Sequence, residues 1–492
     1  MGNCGVGFAP CEPSDTAHDR LIAVMEDVED IPGSALHEGI SWDWESFPEY
    51  LDAVEAFPRA IDVGAQVPHC AVRTYVMGDR GTHNEKATSE DIEKMASIVK
   101  EGVSAGAIGF TTSRTELHTT REEQAMPGTY ADENELLGIG KAIGDLGGEA
   151  IFGLVSDFTN WQEEMDWMKR LSIDNNCQIN FVLFFREESD WPRVQAQLEF
   201  CRKAAVEGAQ LIPHIGARPV NLLLSWDGTI HPFSFHANYA PLSILSHEER
   251  LNELRKTQVR AAILAEELPL MGDDFMDTII GGYDKLYELG TPPNYEPGPQ
   301  DSIAAKAREA GISPQQYCYD LMMERNGKNV VYFPCFGYGA NDLSRQVELL
   351  EDEATVISLA DTGAHCGVLC DASVPTQMLS FYVRDRERGH RLGLEQAVKM
   401  QTMDTARCVG LNDRGTLQVG MKADLNLIDF EQLQLEAPEI IFDLPAGGRR
   451  MFQGATGYLA TIVNGEVIME NGRYTGAVPG KLIRGAQAAP AS

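Results

Sequence analysis

Ala107-Ile108-Gly109-Phe110-Thr111-Thr112-Ser113-Arg114 passes from an apolar run into a polar cluster. A short apolar run is the length of a buried strand, and the polar residues closing it mark a strand that stops at a working face. The same form recurs at 61–67, 150–155, 179–185, 330–333 and 355–359, with amphipathic segments between. Ser246 with Glu249, and Ser313-Pro314 with Gln316, have capping spacings ahead of helical periodicity. This is the βα rhythm of a parallel sheet. No G-x-G-x-x-G follows an early strand, and Gly337-Tyr338-Gly339 stands alone, so the reading favours a barrel over an open doubly wound sheet.

In a parallel barrel the chemistry gathers where the strands end. Polar clusters stand at several such places: Pro68-His69, Thr112-Ser113-Arg114, and Ala360-Asp361-Thr362-Gly363-Ala364-His365. The stretch 210–219 adds His214 and Arg218 in a similar position. A single histidine after a strand is more often a hydrogen-bonded structural residue than a ligand; several clusters in one rhythm point to a site.

The chain has 492 residues, 43% hydrophobic and 23% charged, which fits one large globular domain and a smaller one. Its 40 basic and 74 acidic residues give a net charge of -34, which repels nucleic acid and anionic membrane surfaces. Neither is expected as a partner. The ten cysteines form no C-x-x-C pair, Cys366 and Cys370 being four apart, so reduced thiols are expected and a structural zinc knuckle is not. No secretory pattern opens the chain and no apolar run reaches the length of a membrane span, so the cytoplasm is the expected address.

Between about 245 and 328 the strand rhythm lapses, and the proline-rich stretch Thr291-Pro292-Pro293-Asn294-Tyr295-Glu296-Pro297-Gly298-Pro299 is a loop. This reads as a helical insertion, placed to cover a barrel mouth. After a helix at 394–408 the character changes to short β segments. Ile462-Val463-Asn464-Gly465-Glu466-Val467 is a hairpin with the Asn-Gly pair of a type I′ turn, and Asn471-Gly472 repeats the dipeptide. The expected division is a barrel domain over 1–408 and a small β domain over 409–492.

Cys4 lies in the opening run Met1-Gly2-Asn3-Cys4-Gly5-Val6-Gly7, a thiol in a glycine-rich bend that reads as the functional end of a strand. A buried structural cysteine is the competing reading.

Taken together, Gly2-Asn3-Cys4-Gly5, Asp62-Val63-Gly64-Ala65-Gln66-Val67-Pro68-His69, Gly109-Phe110-Thr111-Thr112-Ser113-Arg114 and the stretch 361–376 resemble the amidohydrolase superfamily. The branch they resemble is that of the N-acyl-D-amino-acid deacylases, the D-aminoacylases. Gly410-Leu411-Asn412-Asp413-Arg414-Gly415, Ala423-Asp424-Leu425, Asp443-Leu444-Pro445-Ala446-Gly447-Gly448 and Thr461-Ile462-Val463-Asn464-Gly465 carry the likeness through the C-terminal part. The resemblance implies an α/β fold: a (β/α)8 TIM barrel that here lacks its first strand, followed by part of a small β-sandwich. It also implies zinc, with Cys4 as a metal ligand, His214 as the best remaining imidazole and Asp361 as the catalytic proton carrier. Zinc lowers the pKa of bound water from 15.7 to about 7, and a carboxylate beside it can pass the proton to a leaving amine. The implied substrate is a small N-acyl amino acid. His69, Arg73, Arg114, Arg218 and His365 are candidate substrate contacts, the guanidiniums because they pair bidentately with a carboxylate; structural ion pairing is the competing role for each arginine.

The resemblance also has gaps. The superfamily's first-strand His-x-His pair has no counterpart, His231 and His236 being five apart, and Asn180-Phe181-Val182-Leu183-Phe184-Phe185 offers no histidine where the family has a sixth-strand ligand. Two further readings follow: a shortened or repurposed amidohydrolase-fold protein without catalysis, and a hydrolase of another C–N bond such as a cyclic amide. Against the second, the strand end at Thr112 to Thr115 offers Arg114 and no lysine that could be carboxylated.

Overall fold

Five strands that follow one another in sequence also follow one another in space. β1 (Gln66–Pro68), β2 (Gly109–Arg114), β3 (Ile151–Ser156), β4 (Gln178–Val182) and β5 (Leu211–Gly216) are each hydrogen-bonded in parallel to the next. β6 (Val220–Leu224), β7 (Tyr287–Glu288) and β8 (Val331–Phe336) leave this sheet, and β9 (Val356–Ser358) rejoins it beside β5. Helices Ser89–Ser104, Glu133–Gly144, Trp161–Asn175 and Trp191–Val206 fill the crossovers between successive strands from β1 to β5. The chain thus has an α/β fold on a parallel sheet of six strands. This computed structural model describes residues 4–120, 124–147, 150–267, 271–360 and 363–490.

The period-two alternation of each strand sorts its side chains between two environments. Phe110, Phe152, Ile179 and Phe181 point toward the helices and are fully buried, with Phe110 and Phe152 ring centroids 5.0 Å apart and Phe152 6.1 Å from Trp167. Each such side chain contributes about 1.5–3 kcal/mol by leaving water. Thr111, Gly153 and Asn180 alternate with them and face the other way. A Cβ added to Gly153 would stand 3.3 Å from Gln66 Oε1 and 3.5 Å from Thr111 Oγ1. Apolar residues therefore hold the helices, and polar ones line the inner face. Gln66 of β1 and 356–358 of β9 border one cavity of about 250 Å³, so the two outer strands of the sheet curl toward each other.

Three expected elements take a different form. The run 330–333 is a strand, but β8 pairs antiparallel with β6 and β7 in a separate three-stranded sheet. A fully apolar run has the same sequence pattern in either setting, so composition could not separate the two. Only the end of 61–67 is a strand; Val63 instead bonds along the C-terminal segment, donating to Lys481 O at 3.0 Å and accepting from Ile483 N at 2.7 Å. Asp62 anchors that contact, its carboxylate accepting from Lys422, Arg414, Asn464 and the Lys481 backbone. Finally, His214 lies inside β5 rather than after it.

Helices His247–Leu254, Thr257–Leu264, Asp274–Gly281, Ile303–Ala310 and Pro314–Gly327 occupy the stretch read as an insertion. They surround a separate apolar cluster that includes Trp226, Phe233, Leu251, Tyr319 and Phe333. The Ser246 and Glu249 capping box is formed.

Toward the C-terminus stand β10 (Leu425–Ile428), β11 (Gln434–Leu435), β12 (Glu439–Leu444), β13 (Gly448–Phe452), β14 (Ala455–Thr456), β15 (Tyr458–Val463), β16 (Glu466–Glu470) and β17 (Arg473–Tyr474). They make the antiparallel sheet β10-β15-β16-β17 and the pairs β11-β14 and β12-β13. Asn464 and Gly465 turn β15 into β16 at φ 51° and 82°, as a type I′ turn requires.

Candidate functional site

At the C-terminal end of β2, Ser113 Oγ and His118 Nδ1 are 3.0 Å apart. The backbone of Gly5 lies across Thr112 and Ser113, and Gly5 O accepts from Cys70 N at 3.1 Å. That contact carries Cys4 to the strand ends. Gly5 has φ 74°, and an added Cβ would stand 2.7 Å from Thr112 Cα and 2.8 Å from Ser113 N. A left-handed backbone packed on main-chain atoms accepts only glycine. Gly5→Ala is expected to cost about 3 kcal/mol, from the forbidden φ and the overpacking together. Gly311→Ala, at another left-handed position with nothing within 4 Å of the added carbon, is expected to cost about 1 kcal/mol. Equal urea midpoints for the two variants would refute the close approach at Gly5.

The helix Asp15–Glu29 supplies the partner of Cys4. Ser14 caps it by accepting from Ala17 N at 3.3 Å, and Leu21, Ile22, Met25 and Val28 form one apolar face packed with Val6, Cys11 and Cys70. That packing places Glu29, 8% exposed, at the last helical residue, where Cys4 Sγ donates to its Oε1 at 3.1 Å. Glu29 Oε2 is buried with no hydrogen-bond partner among the described residues. Burial and the Glu29 carboxylate both push the Cys4 thiol well above its ordinary pKa, so the sulfur keeps its proton.

The segment after β9 closes the group. Glu29 O accepts from Cys366 N at 3.0 Å, and Asp30 O accepts from Cys366 Sγ at 3.1 Å. His365, at φ 44°, puts its ring 6.3 Å from that of His118. Burial, and then the charge of His365, push His118 down to about 3, so its imidazole is neutral at neutral pH. Asp361 lies outside the described residues. The strand ends therefore gather Cys4, Glu29, Ser113, His118 and His365: a thiol, a buried carboxylate, a hydroxyl and two imidazoles.

The other sequence candidates lie elsewhere. His69 is under the helices on the outer face of the sheet, its Nδ1 2.7 Å from Thr112 Oγ1 and its Nε2 2.9 Å from Glu135 Oε1. Arg73 pairs with Glu135, Arg114 pairs through Nε and Nη2 with Glu164, and Arg218 is held by Asp371, Ser373, Gln377 and Cys370 O beneath the Tyr295 ring. All three guanidiniums carry the structural ion pair weighed for them. His214 faces the inner side of the sheet, 8% exposed, with Nε2 3.5 Å from Cys408 Sγ; burial pushes it down to about 4.

Cys4 and His214 thus have different partners and are not brought together. Among the described residues no group of three or more His, Cys, Asp and Glu side chains is placed to hold a metal ion. The donor set implied for zinc does not fit: the Cys4 thiol donates to a carboxylate, and His214 turns to a second thiol. The reason is one of register, since a side chain inside β5 points across the sheet rather than out of its end. Sequence reasoning had passed over Glu29, which carries no motif, and His118. The latter could have been found, because it follows the polar end of β2 by four residues.

Fold and strand-end group together describe a hydrolase scaffold of the amidohydrolase kind, and comparison with known proteins bears this out. The Amidohydrolase family model matches residues 1–469, and the chain belongs to that family. An uncharacterised protein of Mycobacterium tuberculosis is 24% identical over 526 residues, covering 97% of this chain and 79% of its own. A D-aminoacylase of Alcaligenes xylosoxydans xylosoxydans is 36% identical over 111 residues, 23% of this chain and 20% of the relative. Among solved structures, a D-aminoacylase aligns with a TM-score of 0.57 at 18% identity, covering 98% of this chain and 82% of that one. An N-acyl-D-glutamate deacylase of Bordetella bronchiseptica, in complex with zinc and a phosphonate mimic of the tetrahedral intermediate, aligns with a TM-score of 0.55 at 20% identity. That alignment covers 98% of this chain and 81% of the deacylase. At these identities the structural likeness speaks for the fold.

Proposed function

We propose that the chain hydrolyses a linear amide bond, with N-acyl-D-amino acids as the substrate class. The observation carrying this reading is the amidohydrolase match across 1–469, supported by the 111-residue likeness to a D-aminoacylase. The strand-end group supplies the types the reaction needs. A water must lose a proton as it attacks the carbonyl, and the departing amine must gain one. Neutral His118 can orient or accept from that water, and Asp361 is the proposed carrier of the proton to the amine. Cys4 donates to Glu29 within the group. Zinc is bound in the Bordetella deacylase; the described residues of this chain assemble no group of three or more His, Cys, Asp and Glu side chains placed to hold a metal ion.

The same reading takes a small molecule, not nucleic acid or membrane, as partner, in keeping with the charge of -34. It places the protein in the cytoplasm, in keeping with ten free cysteines; among the described residues no helix is long and apolar enough to cross a membrane. The test is amine release from paired N-acetyl-D- and N-acetyl-L-amino acids, with and without added Zn²⁺, beside Cys4→Ala. Release selective for D substrates and lost in Cys4→Ala is the expected result. A folded protein that releases amine from none of them would overturn the proposal and favour a repurposed scaffold.

A further inference from the structure

One hydrogen bond at the strand ends decides what His118 can do. Thr112 points to the outer face, where its Oγ1 lies 2.7 Å from His69 Nδ1, so Ser113, the next residue of β2, points inward. Its Oγ lies 3.0 Å from His118 Nδ1, the hydroxyl's one hydrogen-bond partner among the described residues. Ser113 is 3% exposed. A hydroxyl this deep needs an acceptor for its hydrogen, and Nδ1 is the acceptor in reach. With the ring proton on Nδ1 instead, the Ser113 O–H would be a buried donor with no bond. Ser113 therefore donates to Nδ1, and the proton of the neutral ring is on Nε2.

The ring is also held from behind. Asp157, which follows β3, accepts from Thr115 Oγ1 and, at 2.7 Å, from Glu116 N, while Leu117 N donates to Thr115 Oγ1 at 3.2 Å. These bonds fix the turn that carries His118 away from β2, and His118 O accepts from Met126 N at 3.1 Å just beyond it. Among the described residues Nε2 has no hydrogen-bond partner, and His118 is half-buried, so this N–H can meet a ligand. Burial and His365 hold the imidazole neutral, at a pKa of about 3. So weak a base is poorly matched to taking a proton from water near neutral pH, whereas a neutral N–H donor needs no proton to act.

We propose that His118 donates through Nε2–H to the oxygen of the scissile carbonyl, with Ser113 as the positioning residue that holds the ring in this tautomer. This deepens the amide-hydrolysis reading, on which it rests, and narrows the role of His118 from acceptor to donor. As the water oxygen bonds to the carbonyl carbon, the C=O π pair shifts to oxygen and the hydrogen bond from Nε2 strengthens, with the N–H bond intact. The water's proton passes by the proposed carrier Asp361 to the amine as the C–N bond breaks, so His118 neither gains nor loses one.

Two substitutions at one position separate donor from base. In amine release from N-acetyl-D-amino acids, His118→Ala is expected to lose about 10²–10³-fold in kcat with KM little changed. His118→Gln keeps an N–H donor and has no basic nitrogen, so its kcat should fall by no more than about tenfold. Ser113→Ala should lower kcat by about tenfold without moving KM, and Ser113→Thr, which restores the hydroxyl, should recover it. If His118→Gln falls as far as His118→Ala, His118 is the base and the inference is overturned, with amide hydrolysis left standing. Nitrogen-15 NMR of the full chain labelled at histidine reads the tautomer without turnover. The His118 signals, assigned by their absence in either His118 variant, should show a protonated Nε2 and an unprotonated Nδ1 at neutral pH. A protonated Nδ1 overturns the inference whatever the assay gives. No amine release beside the expected tautomer overturns the amide-hydrolysis reading, and the carbonyl contact with it.

Discussion

Glu135→Ala is expected to lower the unfolding free energy by about 3–5 kcal/mol, the cost of leaving one partner of a buried ion pair alone. Glu135 is 1% exposed and lies between His69 at 0% and Arg73 at 1%. Burial by itself would raise the Glu135 pKa; His69 and Arg73 outweigh it and hold the carboxyl below its usual range. Truncation would strand the Arg73 guanidinium against the packed face of the helix His69–Met77, with Glu85 O still accepting from it. The urea midpoint should fall with the denaturant slope unchanged. The double variant Arg73→Met, Glu135→Leu should recover much of the loss, since replacing both charges by apolar groups of similar volume removes the stranded charge. If the double variant is no more stable than Glu135→Ala, the ion pair is not the source of the effect.

Acid should unfold the protein early. His231 is fully buried, with Nδ1 accepting from Phe233 N at 3.1 Å, so that nitrogen carries no proton; burial first, then Arg250 and His236, push it down to about 3. Burial likewise pushes His69 down, against the pull of Glu135. The unfolded chain binds a proton at each of these histidines below about pH 6.5, while the folded chain does not, so stability is complete above that value and falls as pH drops toward the folded pKa. Each site contributes a slope of up to about 1.4 kcal/mol per pH unit, and His118, His214 and His236, which burial also pushes down, add to it in the same direction. Urea midpoints at pH 7.5, 6 and 5 measure the slope, and His231→Gln should lower it by up to about 1.4 kcal/mol per pH unit, the share of one site. An unchanged slope in that variant would show that His231 titrates freely in the fold. Glu135 adds a further loss only lower, because its depressed pKa gives stability present above the unfolded carboxylate value of about 4.3 and lost as pH falls through the folded one.

The strand rhythm was legible because each parallel strand buries an outer face and ends in polar residues, as 107–114 does. The antiparallel strand β8 was read as parallel because an apolar run is silent about its neighbour. The Asn464-Gly465 turn was legible from its own chemistry, since a φ above zero at both residues demands that pair. Glu29 was not legible. Its burial depends on a helix face packing against Val6 and Cys11, and its role depends on Cys366 lying beyond it, which no local pattern announces. His214 was seen as a candidate, yet its partner Cys408 lies 194 residues away. Only the three-dimensional path of the helix after β9 brings them together. The three arginines show the opposite limit, because sequence reveals a guanidinium but not whether an acid on a neighbouring element already holds it.

Cys366 Sγ reaches the carbonyl of Asp30 across 336 residues of chain. Drawing the ends of so long a loop together costs on the order of 5 kcal/mol in chain entropy by the logarithmic law. During translation at about 5–20 residues per second, on the order of 20–70 s separate the emergence of the two halves of this contact. The helix ending at Glu29 and the Cys4 bend must therefore wait, with Glu29 unshielded, while the parallel sheet between them is made. The Cys366–Asp30 contact is a late joint in the life of each new molecule, and the pace of translation sets how long the helix ending at Glu29 stays exposed to chaperones and proteases.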